Sequence, residues 1–283
     1  MAIGFIGLGN LGTAVAQRLT DMGEELKIYN RTKSKVEHLG YKIVDSPKKL
    51  IEECDIVFMC LFESDAVENI LSMENGLLSA DLEGKNIIDL TTNHFDQVLT
   101  FHQRIEEKGG NYLESPVFGS VAPALQGLVT IVASGRKEIY EESKPLLEKI
   151  GKEIFYLKEE GQASKMKLIN NLCLGSFMAT LAECTALGEA CDIEKPKLLE
   201  ILGVGGGQSL VLKAKTQKLI DEDFSAHFSN NAIYKDLHTL QGLAYSLKQP
   251  LYTAAVPKEL FGKMKKDGKG EEDFSSIYQL FKD

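Results

Sequence analysis

The sequence is short of several features on which well-known chemistries depend. Its five cysteines, Cys54, Cys60, Cys173, Cys184 and Cys191, are odd in number and form no CxxC pair. Neither a disulfide framework nor a cysteine zinc site is expected. Most lie in apolar stretches and read as small buried hydrophobes of a protein kept in a reducing cytoplasm. The histidines, His38, His94, His102, His227 and His238, are scattered and make no HExxH, so no metal is expected. Basic charge is not in excess either: 32 Lys and Arg stand against 41 Asp and Glu, a net charge of −9. Nucleic acid and anionic membrane are poor partners for such a chain. The longest charge-free run, 115–135, contains Pro116, Gly119, Pro123 and Gly127. These break any helix, and no transmembrane span is expected. No basic leader precedes the first glycine motif, and no repeat of solenoid period is visible.

What is present points to an α/β protein of about two domains in its 283 residues. Short apolar runs at 2–6, 26–29, 43–44, 55–61, 86–90, 111–114, 128–133 and 153–157 read as strands. The run DIVFMCL is nearly continuous in apolar character, as in a parallel strand buried on both faces. Helical patterns lie between most of these runs, which predicts a doubly wound parallel sheet, a Rossmann domain over 1–161. After Gly161 the strand signals stop. One long helix is predicted over 162–190, then helices near 195–202, 208–220, 230–247 and 255–266, with Pro196, Pro250 and Pro257 near helix starts. The all-α C-terminal domain is thus 162–283, with an active cleft expected between the two.

Gly7-Leu8-Gly9-Asn10-Leu11-Gly12 is a GxGxxG turn between a strand and a helix. In that context it predicts dinucleotide binding: Gly7 for the tight turn, Gly9 for backbone approach to a pyrophosphate, Gly12 for close helix packing. The second strand ends in Asn30, Arg31 and Thr32, with Lys35 close behind and no carboxylate at its tip. A carboxylate would repel a 2′-phosphate and an arginine pairs with it, so NADP(H) is expected over NAD(H). At the start of the long helix, Lys167 and Asn171 are four apart and share a face. Apolar neighbours and a positive helix terminus both favour a neutral lysine suited to proton transfer.

Six motifs occur in order: GFIGLGNLG at the start, NRT at 30–32, DLTT at 89–92, PVFG at 116–119, GQASKMKLINN at 161–171 and YKDL at 234–237. Together they resemble the β-hydroxyacid dehydrogenase family over essentially the whole chain. That family includes 3-hydroxyisobutyrate dehydrogenase and the glyoxylate/succinic semialdehyde reductases, and its nucleotide domain is like that of 6-phosphogluconate dehydrogenase. The KMKLI run is most similar to the semialdehyde reductase branch. The resemblance implies an NADP(H)-dependent oxidoreductase acting on CH–OH. Hydride would pass between nicotinamide and a small carbonyl or hydroxy acid. It implies Lys167 as the catalytic lysine with Asn171 beside it, although Ala163 stands where the family's GxGxxxKxxxN has its second glycine. Leu61, Phe62, Thr92 and Lys235 correspond to positions lining the cofactor, and Asp236 follows Lys235. In the family's substrate loop, roughly PVSGG, serine and backbone amides hold a carboxylate. Here Phe118 replaces the serine, Gly119 is kept and Ser120 takes a glycine position. Either Phe118 turns into the core and Ser120 restores the hydroxyl, or the ring faces the substrate and shifts its class. The stretch Asp273-Phe274-Ser275 is expected to help close the cleft, and a homodimer or homotetramer is expected. The alternatives are an imine reductase on the same fold and a catalytically silent nicotinamide-binding sensor or scaffold.

Overall fold

The computed structural model describes residues 2–282; Met1 and Asp283, the outermost residues of the expected domains, lie outside them. Contacts divide the chain into two units that meet at Lys167/Leu168. The division falls within a single helix rather than at Gly161.

The first unit is built on a six-stranded parallel sheet of order β3-β2-β1-β4-β5-β6. The strands are β1 (Ile3–Ile6), β2 (Leu26–Tyr29), β3 (Lys42–Ile43), β4 (Ile56–Met59), β5 (Asn86–Asp89) and β6 (Asn111–Glu114). All five pairings are parallel and in continuous register. Strands β1, β4 and β5 are buried at every position, which explains the continuous apolar character of β1 and β4. Alternate residues feed opposite faces. Ile3, Phe5, Ile56, Phe58 and Ile88 enter one apolar cluster, and Ile6, Val57, Met59 and Ile87 the other. Each such side chain contributes roughly 1.5–3 kcal/mol by burial. The connecting helices are α1 (Asn10–Asp21), α2 (Pro47–Glu52), α3 (Ser64–Ser72) and α4 (Gln97–Glu106). Helix α2 begins as its sequence dictates: Ser46 accepts from the Lys49 amide, and Pro47 occupies the first turn, where a missing N–H costs nothing.

The two late strands are not part of this sheet. A short strand that apolar patterning did not reveal, β7 (Val117–Phe118), pairs antiparallel with β8 (Val129–Ala133), which pairs parallel with β9 (Gly151–Tyr156). The separate sheet carries α5 (Val121–Leu125) and α6 (Lys137–Ile150). Pro116 precedes β7, and a two-residue strand is too short for a period to show. One isolated bridge, Glu114 to Ser134, pairs the end of β6 with the residue after β8.

Helix α7 (Gln162–Ala190) has the predicted bounds. The second unit continues with α8 (Lys195–Val204), α9 (Leu210–Asp221), α10 (Asn230–Ser246) and α11 (Tyr252–Lys266). Ser209 and Ser229 cap α9 and α10 by accepting backbone N–H bonds. Pro257 departs from expectation, lying inside α11 rather than at its start. Proline leaves the carbonyl four residues earlier without its helical donor. That carbonyl, of Thr253, lies 3.4 Å from the Ser176 hydroxyl, which donates to it. The cysteines also depart from expectation. Only Cys54 is buried, and Cys173 and Cys191 are exposed, because residues near one another in an apolar helix sequence face different directions. Among the described residues, no helix is long and apolar enough to cross a membrane.

Candidate active site

The chain leaves β1, builds outward to β3 and returns beside β1 as β4. The carboxyl ends of β1 and β4 therefore flank the point where strand order reverses, where open α/β sheets bind ligands. Gly7 sits there with φ +90°, and a Cβ on it would lie 2.4 Å from the Cys60 carbonyl oxygen. A Cβ on Gly12 would lie 2.0 Å from the Gly7 carbonyl oxygen, so α1 packs directly on the turn. Gly9 differs: nothing lies within 4 Å of its Cβ position, and it caps α1 without a side-chain hydrogen bond. Bare backbone facing open space before a helix N-terminus fits a pyrophosphate. Asn10 and Leu11 form the first turn of α1, and Leu8 is buried. The Leu8 amide donates to Asn30 Oδ1 at 3.2 Å, and Asn30 Nδ2 donates to the Thr32 carbonyl at 2.8 Å. Asn30 thus ties the two loops together, while Arg31, Thr32 and Lys35 stand exposed. Lys33, by contrast, is paired with Asp45 at 2.6 Å.

The loops after β4 and β5 are held by a buried network that the motif DLTT did not disclose. Asp89 Oδ1 accepts from the Thr91 amide at 2.9 Å. Its Oδ2 accepts from Asn93 Nδ2 at 2.7 Å and from the Tyr112 hydroxyl. Thr91 Oγ1 accepts from the Leu61 amide at 3.0 Å. Ser64 donates to Asn93 Oδ1 at 2.9 Å and accepts from the His94 amide at 2.7 Å. Burial pushes the Asp89 carboxyl up despite the hydrogen bonds from Thr91, Tyr112 and Asn93. Burial and the Asp89 charge raise the Tyr112 hydroxyl well above its ordinary range. The network fixes Leu61 and the half-buried Thr92, and beside Leu61 the Phe62 ring stands half exposed. His94 stacks on Phe95 at 4.3 Å.

Lys167 is 7% exposed, and its Nζ donates to the Val117 carbonyl at 2.7 Å. The Phe118 ring centroid is 5.0 Å from the same nitrogen, within cation–π range. Phe118 remains half-buried. The ring is thus neither fully buried nor fully exposed, and it packs beside the lysine. Gly119 has φ +150° and is exposed, and a Cβ there would press on Val129 at 2.8 Å. Ser120 is half-buried just before α5.

The helix terminus beside Lys167 is not the bare positive end the sequence suggested. Glu114, 1% exposed, places its carboxylate against it. Oε2 accepts from the Ser164 amide at 3.0 Å and the Ser164 hydroxyl at 2.6 Å, and Oε1 accepts from the Gly161 amide. A full negative charge outweighs the roughly half charge of a helix end. Burial would raise the Glu114 carboxyl, but His102, Ser164 and Gly161 together hold it below the ordinary carboxylate range. His102, one of the scattered histidines, is itself 1% exposed and lies 3.1 Å from Glu114 Oε1. Neither residue carried a sequence signal of this role.

In the second unit, Asn171 is fully buried and donates to Asp236 Oδ2 at 2.6 Å. Lys235 Nζ lies 2.9 Å from Asp236 Oδ1. Asp236, two per cent exposed, thus orients both residues that the sequence singled out. Asn171 follows Lys167 by four residues on the uninterrupted α7, so the shared helix face is retained. The stretch 273–275, expected near the cleft, is packed inside the second unit. All three residues are buried, and Asp273 accepts from Lys215 at 2.8 Å and from the His227 and Phe228 amides at 3.0 and 3.2 Å. Burial lowers the Lys215 ammonium even against this carboxylate.

With this geometry in view, comparison with known proteins is specific. The family model for the NAD binding domain of 6-phosphogluconate dehydrogenase matches residues 2–158. That for the NAD-binding of NADP-dependent 3-hydroxyisobutyrate dehydrogenase matches 161–281. The chain belongs to the β-hydroxyacid dehydrogenase family. Within the family it is 32% identical over 285 residues to glyoxylate/succinic semialdehyde reductase 1 of Arabidopsis thaliana, covering 100% of this chain and 99% of that one. It is also 32% identical over 282 residues to the cytokine-like nuclear factor N-PAC of Gallus gallus, covering 99% of this chain. The chain spans only about half the length of that relative, 51%. Among solved structures, Psf3 in complex with NADP+ and 2-OPP superposes with a TM-score of 0.93 at 25% identity, over 99% of both chains.

Proposed function

We propose that this family member is an NADP(H)-dependent reductase of a small aldehyde or keto acid, working in reverse as a hydroxy-acid dehydrogenase. The observation that carries the reading is Lys167. Its amine is buried, anchored on the Val117 carbonyl at 2.7 Å and covered by the Phe118 ring. Such a group can hold and release a proton at a fixed place, which general acid–base catalysis requires. The bound nicotinamide would supply or accept the hydride. Lys167 Nζ then gives a proton to the carbonyl oxygen during reduction and takes it back during oxidation. By the family resemblance, Asn171, held by Asp236, would orient the substrate oxygen, and Lys235 would line the nicotinamide. The backbone at Gly119 and Ser120 takes the carboxylate. The turn Gly7–Gly12 takes the pyrophosphate, with Leu61, Phe62 and Thr92 lining the cofactor beyond it.

Arg31, with Thr32 and Lys35, is the proposed seat of the 2′-phosphate. Charge-assisted hydrogen bonds contribute about 1.5–3 kcal/mol, and Arg31 is exposed, which favours the lower end. Arg31→Ala is expected to reduce the preference for NADPH over NADH about tenfold. Steady-state kinetics with both cofactors reads this directly, and an unchanged ratio would move the phosphate site elsewhere.

The test of the function itself is NADPH and NADH oxidation with glyoxylate, succinic semialdehyde and a cyclic imine. The expected result is NADPH-dependent turnover of an aldehyde acid. Phe118→Ser, which trades the ring for the family's hydroxyl, is expected to lower KM for the smaller acid. Imine turnover with both acids inert would replace the proposed substrate class.

A further inference from the structure

Helix α7 has an N-terminus with every early amide accounted for. The Gln162 amide donates to the Glu159 carbonyl at 3.2 Å, Ala163 to Ser134 Oγ at 3.0 Å, and Ser164 to Glu114 Oε2 at 3.0 Å. The Glu114 carboxylate collects five donors in all. They are the Gly161 and Ser164 amides, the Ser164 and Ser134 hydroxyls, and His102 Nε2. These donors come from α4, from the residue after β8, and from the first turn of α7 with the glycine before it, and Glu114 is the last residue of β6. Only three residues later the same strand-to-strand segment supplies the Val117 carbonyl that receives Lys167 Nζ. One short segment, 114–117, stiffened by Pro116, therefore grips α7 twice: at its first turn and at its lysine.

We propose that Glu114 is a positioning residue for Lys167, fixing the roll and depth of the first turn of α7 so that the amine reaches its reacting position. The arrangement has no slack. A helix that rotates about its axis while Val117 stays in place must break the contact at Nζ, and an ångström of misplacement costs turnover steeply. A glutamine at 114 keeps the shape but has one acceptor oxygen and turns an NH2 toward donors that need acceptors. The inference rests on Lys167 being the proton donor.

The test compares Glu114→Gln and Lys167→Ala, singly and together, in the full chain. Turnover is expressed per NADPH-binding site, so that misfolded protein does not count. Glu114→Gln is expected to lower kcat at least about tenfold with NADPH affinity unchanged. It is also expected to raise the primary isotope effect from NADPH deuterated at the transferred hydrogen, because the chemical step slows. In the Lys167→Ala background it is expected to add nothing further, since its effect passes through the lysine. Ser164→Ala, which removes one donor and leaves the backbone bond, gives a smaller loss of the same kind and carries the test if Glu114→Gln does not fold. A role in stability alone would lower the melting temperature and leave kcat per site and the isotope effect at their original values. That result, or an additive loss in the double variant, overturns the proposal. If Lys167→Ala itself turns over normally, the failure lies in the proton-donor assignment rather than in the role of Glu114.

Discussion

Lys167→Ala is expected to lower aldehyde-acid turnover by about 10²- to 10⁴-fold, the span that positioned general acids contribute. The dissociation constant for NADPH should stay nearly unchanged. The two expectations separate because the amine is bonded to Val117 and covered by Phe118, in the loop proposed to hold the substrate, whereas the glycine turn is proposed to hold the cofactor. Lys167→Arg is expected to fail almost as badly. Guanidinium keeps the charge but does not surrender a proton near neutral pH, and its planar fork does not fit a single carbonyl contact. Steady-state turnover together with cofactor titration by fluorescence measures both quantities. Turnover within a few-fold of the parent in Lys167→Ala would remove the proposed mechanism.

The second large effect separates two glycines of one motif. Gly12→Ala places a methyl 2.0 Å from the Gly7 carbonyl oxygen, a backbone atom that cannot swing aside. Overpacking of this kind costs about 1–3 kcal/mol, which lowers a melting midpoint by several degrees in a protein of this size. Cofactor binding weakens with it, because α1 must move off the turn. Gly9→Ala has the opposite signature. Gly9 has an ordinary negative φ of −75° and nothing within 4 Å of its Cβ position. The variant is expected to melt with the parent and yet bind NADPH at least about tenfold more weakly, since the methyl fills the space left for phosphate oxygens. Thermal melts and cofactor titration on the pair decide the matter. A Gly9→Ala protein with parental affinity would show that the pyrophosphate lies elsewhere.

Local pattern alone determined a good deal of this protein. Strands β1 and β4 were legible because strands buried on both faces are apolar throughout, β2, β5 and β6 because short apolar runs stand between helical patterns, and the bounds of α7 because helical residues ran unbroken from 162 to 190. The glycine turn was legible for a related reason: the positions of Gly7 and Gly12 tolerate no Cβ and leave glycine in the sequence. Lys167 and Asn171 could be paired because four residues on one helix make one turn. None of this says which strands join which sheet. The runs at 128–133 and 153–157 looked like further strands of the main sheet, and only the antiparallel pairing of β7 with β8, and the parallel pairing of β8 with β9, draws them into a second one. Nor does local pattern reveal partners distant in sequence. Glu114 meets Ser164 across 50 residues and Asn171 meets Asp236 across 65. A buried carboxylate carries no periodic signal, because its placement depends on donors brought to it by other elements. The direction of Phe118 was open for the same reason. A ring that can enter a core or face a substrate is placed by what the fold sets around it, and here the fold sets Lys167 Nζ 5.0 Å from its centroid.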